Sequence, residues 1–235
     1  MTHATPAAHP DGPVEVVIPW RPAPSRLAPF ERVLAWYRTH LPEAHVRTVD
    51  TADDVFVLAG CRNRAMRTAA PDAVVVIGDA DTLPEVAPLR AAIRAARTSG
   101  LVQLPYEEYR WLGATGSAEL AAGTPPARCA PEQIVRGACS GVYVTTADTW
   151  FAHGGQDETF RGWGFEDAAW YLAHETLLGA PPQRHPGRVY ALHHVPERRE
   201  GPDYDANAAR MARYRDAAGD PAAMAALVGI PSVRI

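Results

Sequence analysis

The sequence predicts a single-domain α/β fold, a mostly parallel twisted sheet sandwiched by helices, and three observations carry that prediction. Short β-branched runs alternate with longer segments of helical period, the pattern of strands joined by right-handed crossovers. The most apolar run, Val74–Ile77 in "VVVIGDADTLPE", ends at a glycine followed by Asp79 and Asp81. Such a run suits a central strand, so the two carboxylates fall on the rim where open α/β sheets hold ligands. Finally, no repeat and no long linker divides the 235 residues, a length that supports one sizeable core.

Each element follows from its own pattern. Residues 1–13 are polar and proline-rich and predict a flexible arm, so the domain is expected to run from 14 to 235. "VEVVIP" (14–19) reads as a buried strand stopped by proline. "PSRLAPFERVLAWYRTHL" (24–41) has apolar residues at helical spacing, with Ser25 placed to cap it. "HVRTVD" is a weak strand, and a second helix passes through "CRNRAMRTAA". After the Val74–Ile77 strand, "PEVAPLRAAIRAARTSG" predicts a helix, which Asp81 or Thr82 could cap. "LVQLP" is another short strand. Residues 105–140 mix aromatics, glycine and proline without a period and predict loops with one short helix. "GVYVTTADTWFAHGG" (141–155) reads as strand, helix and glycine stop; "GFEDAAWYLAHETLLGA" (164–180) reads as a helix with Glu166 and Asp167 in its first turn. "RVYALHHV" alternates as a strand, "YDANAARMARYRDAA" is an amphipathic helix, and a terminal helix follows.

Composition narrows the function classes. Hydrophobic residues at 47% and charged residues at 21% describe an ordinary soluble globule. No apolar run approaches the roughly 20 residues of a membrane span. Cys61, Cys129 and Cys139 have neither pairing parity nor zinc spacing and suit reduced thiols in a cytosol. A net charge of −4 offers no global field for nucleic acid. The chain contains no lysine, all 23 basic residues being arginine. That excludes Walker-type phosphate binding, Schiff-base chemistry and any amine nucleophile. Arginine still suits phosphate through its planar fork.

Four constellations carry chemistry. Asp79 and Asp81 suit a cation held between them, although the same residues also suit a plain turn. "IPWR" (18–21) ends a strand with Pro19, Trp20 and Arg21, able to stack on a base and hold a phosphate; an edge tryptophan beside a solvated arginine is the plainer alternative. "CRNRA" puts Arg62, Asn63 and Arg64 at an expected helix start, where backbone N–H groups attract anions, or simply on a basic helix face. "FRGWGFEDAAW" (160–170) frames Trp163 with Gly162 and Gly164, which suits a mobile platform over residues 155–165 better than a core. Beside it, Glu166 and Asp167 stand at a helix N-terminus. Late in the chain, "HHVPERRE" (193–200) supplies adjacent histidines at a strand end.

The order of these motifs resembles that of the GT-A-fold glycosyltransferases, most closely the β-1,4-galactosyltransferase group. "VVIPWR" resembles that group's contact to the uracil and diphosphate, and "NRA" (63–65) its next nucleotide-contacting segment. "DADTLP" resembles its Asp-x-Asp-x-x-Pro metal signature, "SGVYV" its Gly-Gly-Val strand, and "GWGFED" its Gly-Trp-Gly-Gly-Glu-Asp segment. "HHVPERREGP" resembles the stretch that places a metal-binding histidine at His194. The likeness spans residues of about 14 to 215. Two positions depart from it: Ala191 stands at the family's methionine ligand, leaving water or His193 to complete the shell, and Phe165 replaces the second glycine.

The resemblance implies a GT-A-like α/β domain that moves a hexose or N-acetylhexosamine from a nucleotide-diphosphate sugar, UDP-linked by expectation, to an acceptor hydroxyl. It implies Mn2+ or Mg2+ on Asp79, Asp81 and His194. The donor would meet Pro19, Trp20, Arg21, Arg64, Asp79 and Trp163. Asp167 would be the general base for inversion, and Glu166 would orient hydroxyls. Related GT-A enzymes with a similar segment retain configuration, and a degenerate sugar-binding domain would share the motifs. A sugar nucleotidyltransferase would share the metal aspartates but normally needs a phosphate-binding lysine. The acceptor stays open among a glycan, a protein, a small molecule or a modified nucleic-acid base; Arg198, Arg199, Arg210, Arg213 and Arg215 could face a polyanion. Animal members carry a membrane anchor, absent from this sequence, so a soluble cytoplasmic enzyme of bacterial or viral origin is expected.

Overall fold

The computed structural model describes residues 12–195 and 199–231, which form eight α-helices and two sheets. The first half contains β1 (Val14–Pro19), α1 (Leu27–His40), β2 (His45–Val49), α2 (Leu58–Arg67), β3 (Val74–Gly78), β4 (Thr82–Pro84) and α3 (Val86–Ala96). There follow β5 (Gln103–Leu104), β6 (Glu108–Trp111), α4 (Gly113–Ala121), β7 (Gln133–Arg136), β8 (Val142–Thr145) and α5 (Ala147–Ala152). The chain continues through α6 (Glu166–Leu178), β9 (Gln183–Arg184), β10 (Arg188–Ala191), α7 (Pro202–Ala217) and α8 (Pro221–Val228). The predicted arm falls almost wholly outside the described residues. Among those described, no helix is long and apolar enough to cross a membrane.

The larger sheet has the order β2-β1-β3-β8-β5-β9. Its parallel half, β2-β1-β3, is the part that the strand–helix alternation foretells. Val16, Val17, Ile18 and Val74–Ile77 are fully buried, as strands covered on both faces must be. Each such side chain contributes about 1.5–3 kcal/mol when removed from water. Gly78 ends β3 because a Cβ there would stand 2.4 Å from the Tyr37 hydroxyl of α1. β8 runs antiparallel between β3 and β5, and β9 pairs parallel with β5.

A smaller sheet, β4-β10-β6-β7, sits where β3 gives out. Its strands β6 and β7 lie in the region read as loops with a short helix, of which only α4 was foreseen. β7 is an edge strand with mostly exposed side chains, so its pairing with β6 is set by the ladder and leaves little hydrophobic period to read. The expected caps are not found: neither Asp81 nor Thr82 caps α3, and Ser25 does not cap α1. Thr82 belongs to β4 and its hydroxyl donates to the Asp79 and Gly141 carbonyls, so Glu85 is the residue preceding α3. Ser25 lies inside a single 3-10 turn, and α1 begins after Arg26 without a side-chain cap.

Helices α6, α7 and α8 close a second apolar cluster around Phe160, Ala173, Met211, Tyr214 and Met224. Between α5, α6 and the sheet, the rings of Trp150, Trp170, His153 and His174 pack edge-on and stacked. His174 Nε2 accepts the Val102 N–H at 3.1 Å while Nδ1–H donates to the Ala180 carbonyl at 3.0 Å, an arrangement that fixes a neutral tautomer. Burial pushes its pKa down to about 4, and burial together with His174 pushes His153 down to about 3.

Candidate active site

A cleft of about 940 Å3 opens at the carboxyl ends of β1 and β3 and under the smaller sheet. Pro19, Trp20, Arg21, Asp79, Asp81, Trp163, Glu166, Asp167 and His194 all line it, although they come from distant parts of the chain. Arg64 does not. It lies within α2 and donates to the Asp50 carbonyl at 3.2 Å, outside the cleft. The helix start expected at "CRNRA" is also displaced: α2 begins at Leu58, so these side chains are in its second turn and no N-terminal anion site is built from them.

At the end of β3 the backbone turns the two aspartates to different partners. The Asp79 N–H donates to Gly141 at 2.8 Å, and Asp79 Oδ1 accepts from Arg62 Nη2 at 2.8 Å. Burial pushes the Asp79 pKa up to about 6, against the pull of Arg62. Asp81 Oδ2 instead faces His194 Nε2 at 2.8 Å and Arg26 at 3.7 Å. The pairing follows from the smaller sheet: Leu192 N–H donates to the Asp81 carbonyl at 2.7 Å, so the end of β10 delivers His194 to Asp81.

This pair fits a hard divalent ion. His194 Nδ1 lies 2.8 Å from the Val195 carbonyl, which fixes Nδ1 as the donor. Nε2 then points at a carboxylate, so a proton or a cation must lie between them. Without a metal, the Asp81 carboxylate raises the His194 pKa. Mg2+ and Mn2+ are commonly held by one or two protein groups plus phosphate and water. Among the described residues no group of three His, Cys, Asp or Glu side chains is assembled for a metal, so the expected trio of Asp79, Asp81 and His194 is not preformed. Asp79 is turned to Arg62. Ala191 is buried within β10, and the His193 side chain is exposed while its N–H donates to Ser117 Oγ.

Arg62, read in the sequence only as part of a basic helix start and absent from the contacts that the resemblance implies, is central to the site. Its side chain is fully buried and its guanidinium joins three elements. Nη1 donates to Asp167 Oδ1 at 2.6 Å and to Gln156 Oε1 at 3.0 Å, while Nη2 takes Asp79. Glu166 stands 3.9 Å away, and the Tyr143 ring lies 4.9 Å beneath the guanidinium. A helical signal could have found it: Cys61, Arg62 and Ala65 share one face of α2, and that face is buried. Arg62 and Arg64 differ by about 200° around the helix.

At the first turn of α6, Asp167 Oδ1 gathers three donors, Arg62, Gln156 and the Tyr143 hydroxyl. Its Oδ2 has no partner among the described residues. Burial, then the charge of Asp167, raises the Glu166 pKa above the ordinary carboxylate range, so this acid can donate as well as accept a hydrogen bond. Across the cleft, Trp20 stacks on Phe30 with centroids 4.0 Å apart. Arg21 is less available than expected. Five hydrogen bonds, two of them to Asp50, commit its fork to the loop at 50–54, so it shapes the wall and does not stand ready as an anion fork.

The tryptophan segment differs from expectation in extent. Gly162 and Gly164 have φ of +64° and +105°, and Phe165, at +75°, takes the same left-handed region without being glycine. Trp163 is 37% exposed, with Arg199 4.3 Å above its ring and Tyr204 stacked at 6.4 Å. The preceding residues are held fast. Asn63 grips both the N–H and the carbonyl of Gln156, Asp157 binds Arg210 and Tyr214, and Asn207 pairs with both backbone groups of Arg161. The expectation of a mobile stretch over 155–165 therefore does not suit residues 156–161, whose backbone and side chains are tied to other elements. Arg210 is spent on Asp157, which removes it from the imagined basic face, and Arg198 lies outside the described residues.

No family profile and no curated protein matches this sequence. Solved structures do match its shape. The catalytic domain of Drosophila β-1,4-galactosyltransferase 7 with xylobiose is 14% identical over 82% of this chain and 77% of its own, with a TM-score of 0.53. GalNAc-T7 with UDP, GalNAc and Mn2+ is 12% identical over 94% of this chain and 55% of its own, with a TM-score of 0.61. A mutant of the Drosophila enzyme with manganese, UDP-Gal and xylobiose is 14% identical over 73% and 63%, at a TM-score of 0.48, too low to add weight. The chain thus has the GT-A fold of glycosyltransferases, and it is shorter than the chains it matches.

Proposed function

We propose that this protein is a metal-dependent glycosyltransferase that moves a hexose or N-acetylhexosamine from a UDP-linked donor to an acceptor hydroxyl with inversion. One observation carries the reading: the Asp81–His194 pair past the carboxyl end of β3 and the Glu166–Asp167 pair at the start of α6 line the same cleft. On this reading a cation-binding corner and a proton acceptor would meet the same bound molecule. The GT-A fold supports it, as does the UDP and Mn2+ held by GalNAc-T7.

Asp81 and His194 would hold Mn2+ or Mg2+, which when bound offsets charge on the diphosphate leaving group. Trp20 and Pro19 border the nucleotide end, and Arg21, Val55 and Phe56 continue that wall. Asp79, turned by Arg62, accepts donor hydroxyls. The acceptor oxygen attacks the anomeric carbon as the bond to the diphosphate oxygen breaks, and its proton passes to Asp167 Oδ2. Glu166 orients sugar hydroxyls, and Trp163 supplies a flat apolar floor. A carbohydrate acceptor accords with the xylobiose held by the Drosophila enzyme.

The test is a donor screen for nucleotide release, with Mn2+ and with chelator, followed by calorimetry with UDP. Mn2+ should tighten UDP binding, and Asp81→Asn and His194→Ala should each weaken it about tenfold or more. Equal affinity in chelator and in Mn2+ would overturn the reading. Binding without turnover would mark a sugar-binding module instead.

A further inference from the structure

We infer that Arg62 is a positioning residue, whose buried guanidinium holds Asp79 at the end of β3 and Asp167 at the start of α6 in one fixed geometry. The inference rests on the cleft being the transferase site proposed above. It concerns how two acids from different elements come to face one substrate.

The geometry carries it. Asp79 and Asp167 are 88 residues apart in sequence, yet one planar group donates to both, at 2.8 and 2.6 Å. A guanidinium fork is rigid, so fixing one acid through Nη2 fixes the direction in which Nη1 offers its hydrogens to the other. The plane itself is held. Tyr143 supports its face at 4.9 Å, Gln156 shares Nη1 at 3.0 Å, and the neighbouring Asn63 ties α2 to Gln156 and to the Trp150 indole. Tyr143 also donates to Asp167, so the acid is oriented from two sides.

Stability alone is a poor reason for this arrangement. A buried charge network is often no more stabilising than apolar side chains of the same volume. Removing the cation alone would leave Asp79, Glu166 and Asp167 crowded together without a counter-charge, and they would repel and turn away from one another. What the fork adds is direction: it takes up Oδ1 of both acids and leaves Oδ2 of Asp167, a residue that lines the cleft, without a partner among the described residues. Asp81 and His194 make no contact with Arg62, so the metal corner and the acid pair are separately built.

Lysine separates charge from direction, because one ammonium cannot reproduce a planar fork. Arg62→Lys should therefore lower kcat by about ten- to a hundredfold, the scale of an ångström's misplacement at a reacting group. Its Kd for UDP in Mn2+ should stay within about threefold of the parent. Turnover within twofold of the parent would overturn the inference, and so would parallel losses in kcat and UDP affinity, which mark general disruption. If the parent shows no nucleotide release with any donor, the transferase reading fails, and the clamp is then decided by unfolding. In a cycle of Arg62→Lys, Asp167→Asn and their combination, the double variant should unfold with an equilibrium constant at least fivefold below the product of the two single effects. Additive single effects would overturn the clamp.

Discussion

Replacing His174 with glutamine should remove about 3 kcal/mol of acid sensitivity between pH 7 and pH 4. The buried ring accepts a backbone N–H through Nε2, so a proton there would set donor against donor. The native pKa of about 4 compares with an ordinary 6.5. Below pH 6.5 the unfolded chain therefore binds a proton that the native state refuses. Stability fully present at neutral pH is lost as the pH falls towards 4. At roughly 1.4 kcal/mol per pH unit, that interval amounts to about 3 kcal/mol. His153, with ring centroids 4.9 Å from His174, acts in the same direction. Asp79 and Glu166 act against it: with pKa values held above their usual range, they take up protons in the native state first and add stability as the pH falls. The parent's curve alone is thus a balance, and the difference between parent and His174→Gln reports His174 together with its effect on His153. Glutamine offers both an acceptor and a donor, which keeps the variant folded at pH 7. Urea unfolding followed by circular dichroism at pH 7, 6, 5 and 4, at fixed ionic strength, gives that difference. A gap that does not change with pH would refute the reasoning.

Two predictions concern the cleft. Asp167→Asn keeps the size and the Oδ1 partners of the side chain but removes its capacity to take a proton, so turnover should fall by about 10²–10⁴-fold. Calorimetry should find donor affinity within a few-fold, and transfer at close to the parent rate would remove Asp167 as the base. Phe165→Gly relieves a left-handed backbone worth about 1 kcal/mol but loses the ring contact to Tyr204 at 5.2 Å. Its melting temperature should hardly move while proteolytic cleavage within 162–165 quickens several-fold; an unchanged cleavage rate would show that Phe165 does not stiffen the segment.

The parallel half of the larger sheet was legible because strands buried on both faces must be written as continuous apolar runs. The smaller sheet was not. β6 and β7 are short and partly exposed, and only their pairing with each other and with β10 identifies them. At the site, the acids and His194 announced themselves by standing next to strand ends and glycines, where carboxylates have no packing role. Arg62 gave the opposite signal, a charge inside an apolar helix face, whose meaning depends on partners 17 and 105 residues away. Arg21 and Arg64 look like anion ligands in sequence, and it is local loop carbonyls and Asp50 that occupy them.

The clamped stretch from Gln156 to Arg161 sets a mechanical limit on the cleft. Between the backbone of Arg161, pinned by Asn207, and Glu166 at the head of α6 there are only five virtual bonds, and the Trp163 carbonyl among them accepts a longer bond from Asn207 at 3.5 Å. At 3.8 Å each they make a tether of about 19 Å, and its apex can rise by no more than about half of that. A tether of that length could carry one indole across the mouth at most, and it could not sweep a broad flap over a large ligand. Anything held in this cleft is therefore shaped mainly by its fixed walls, with Trp163 at one edge.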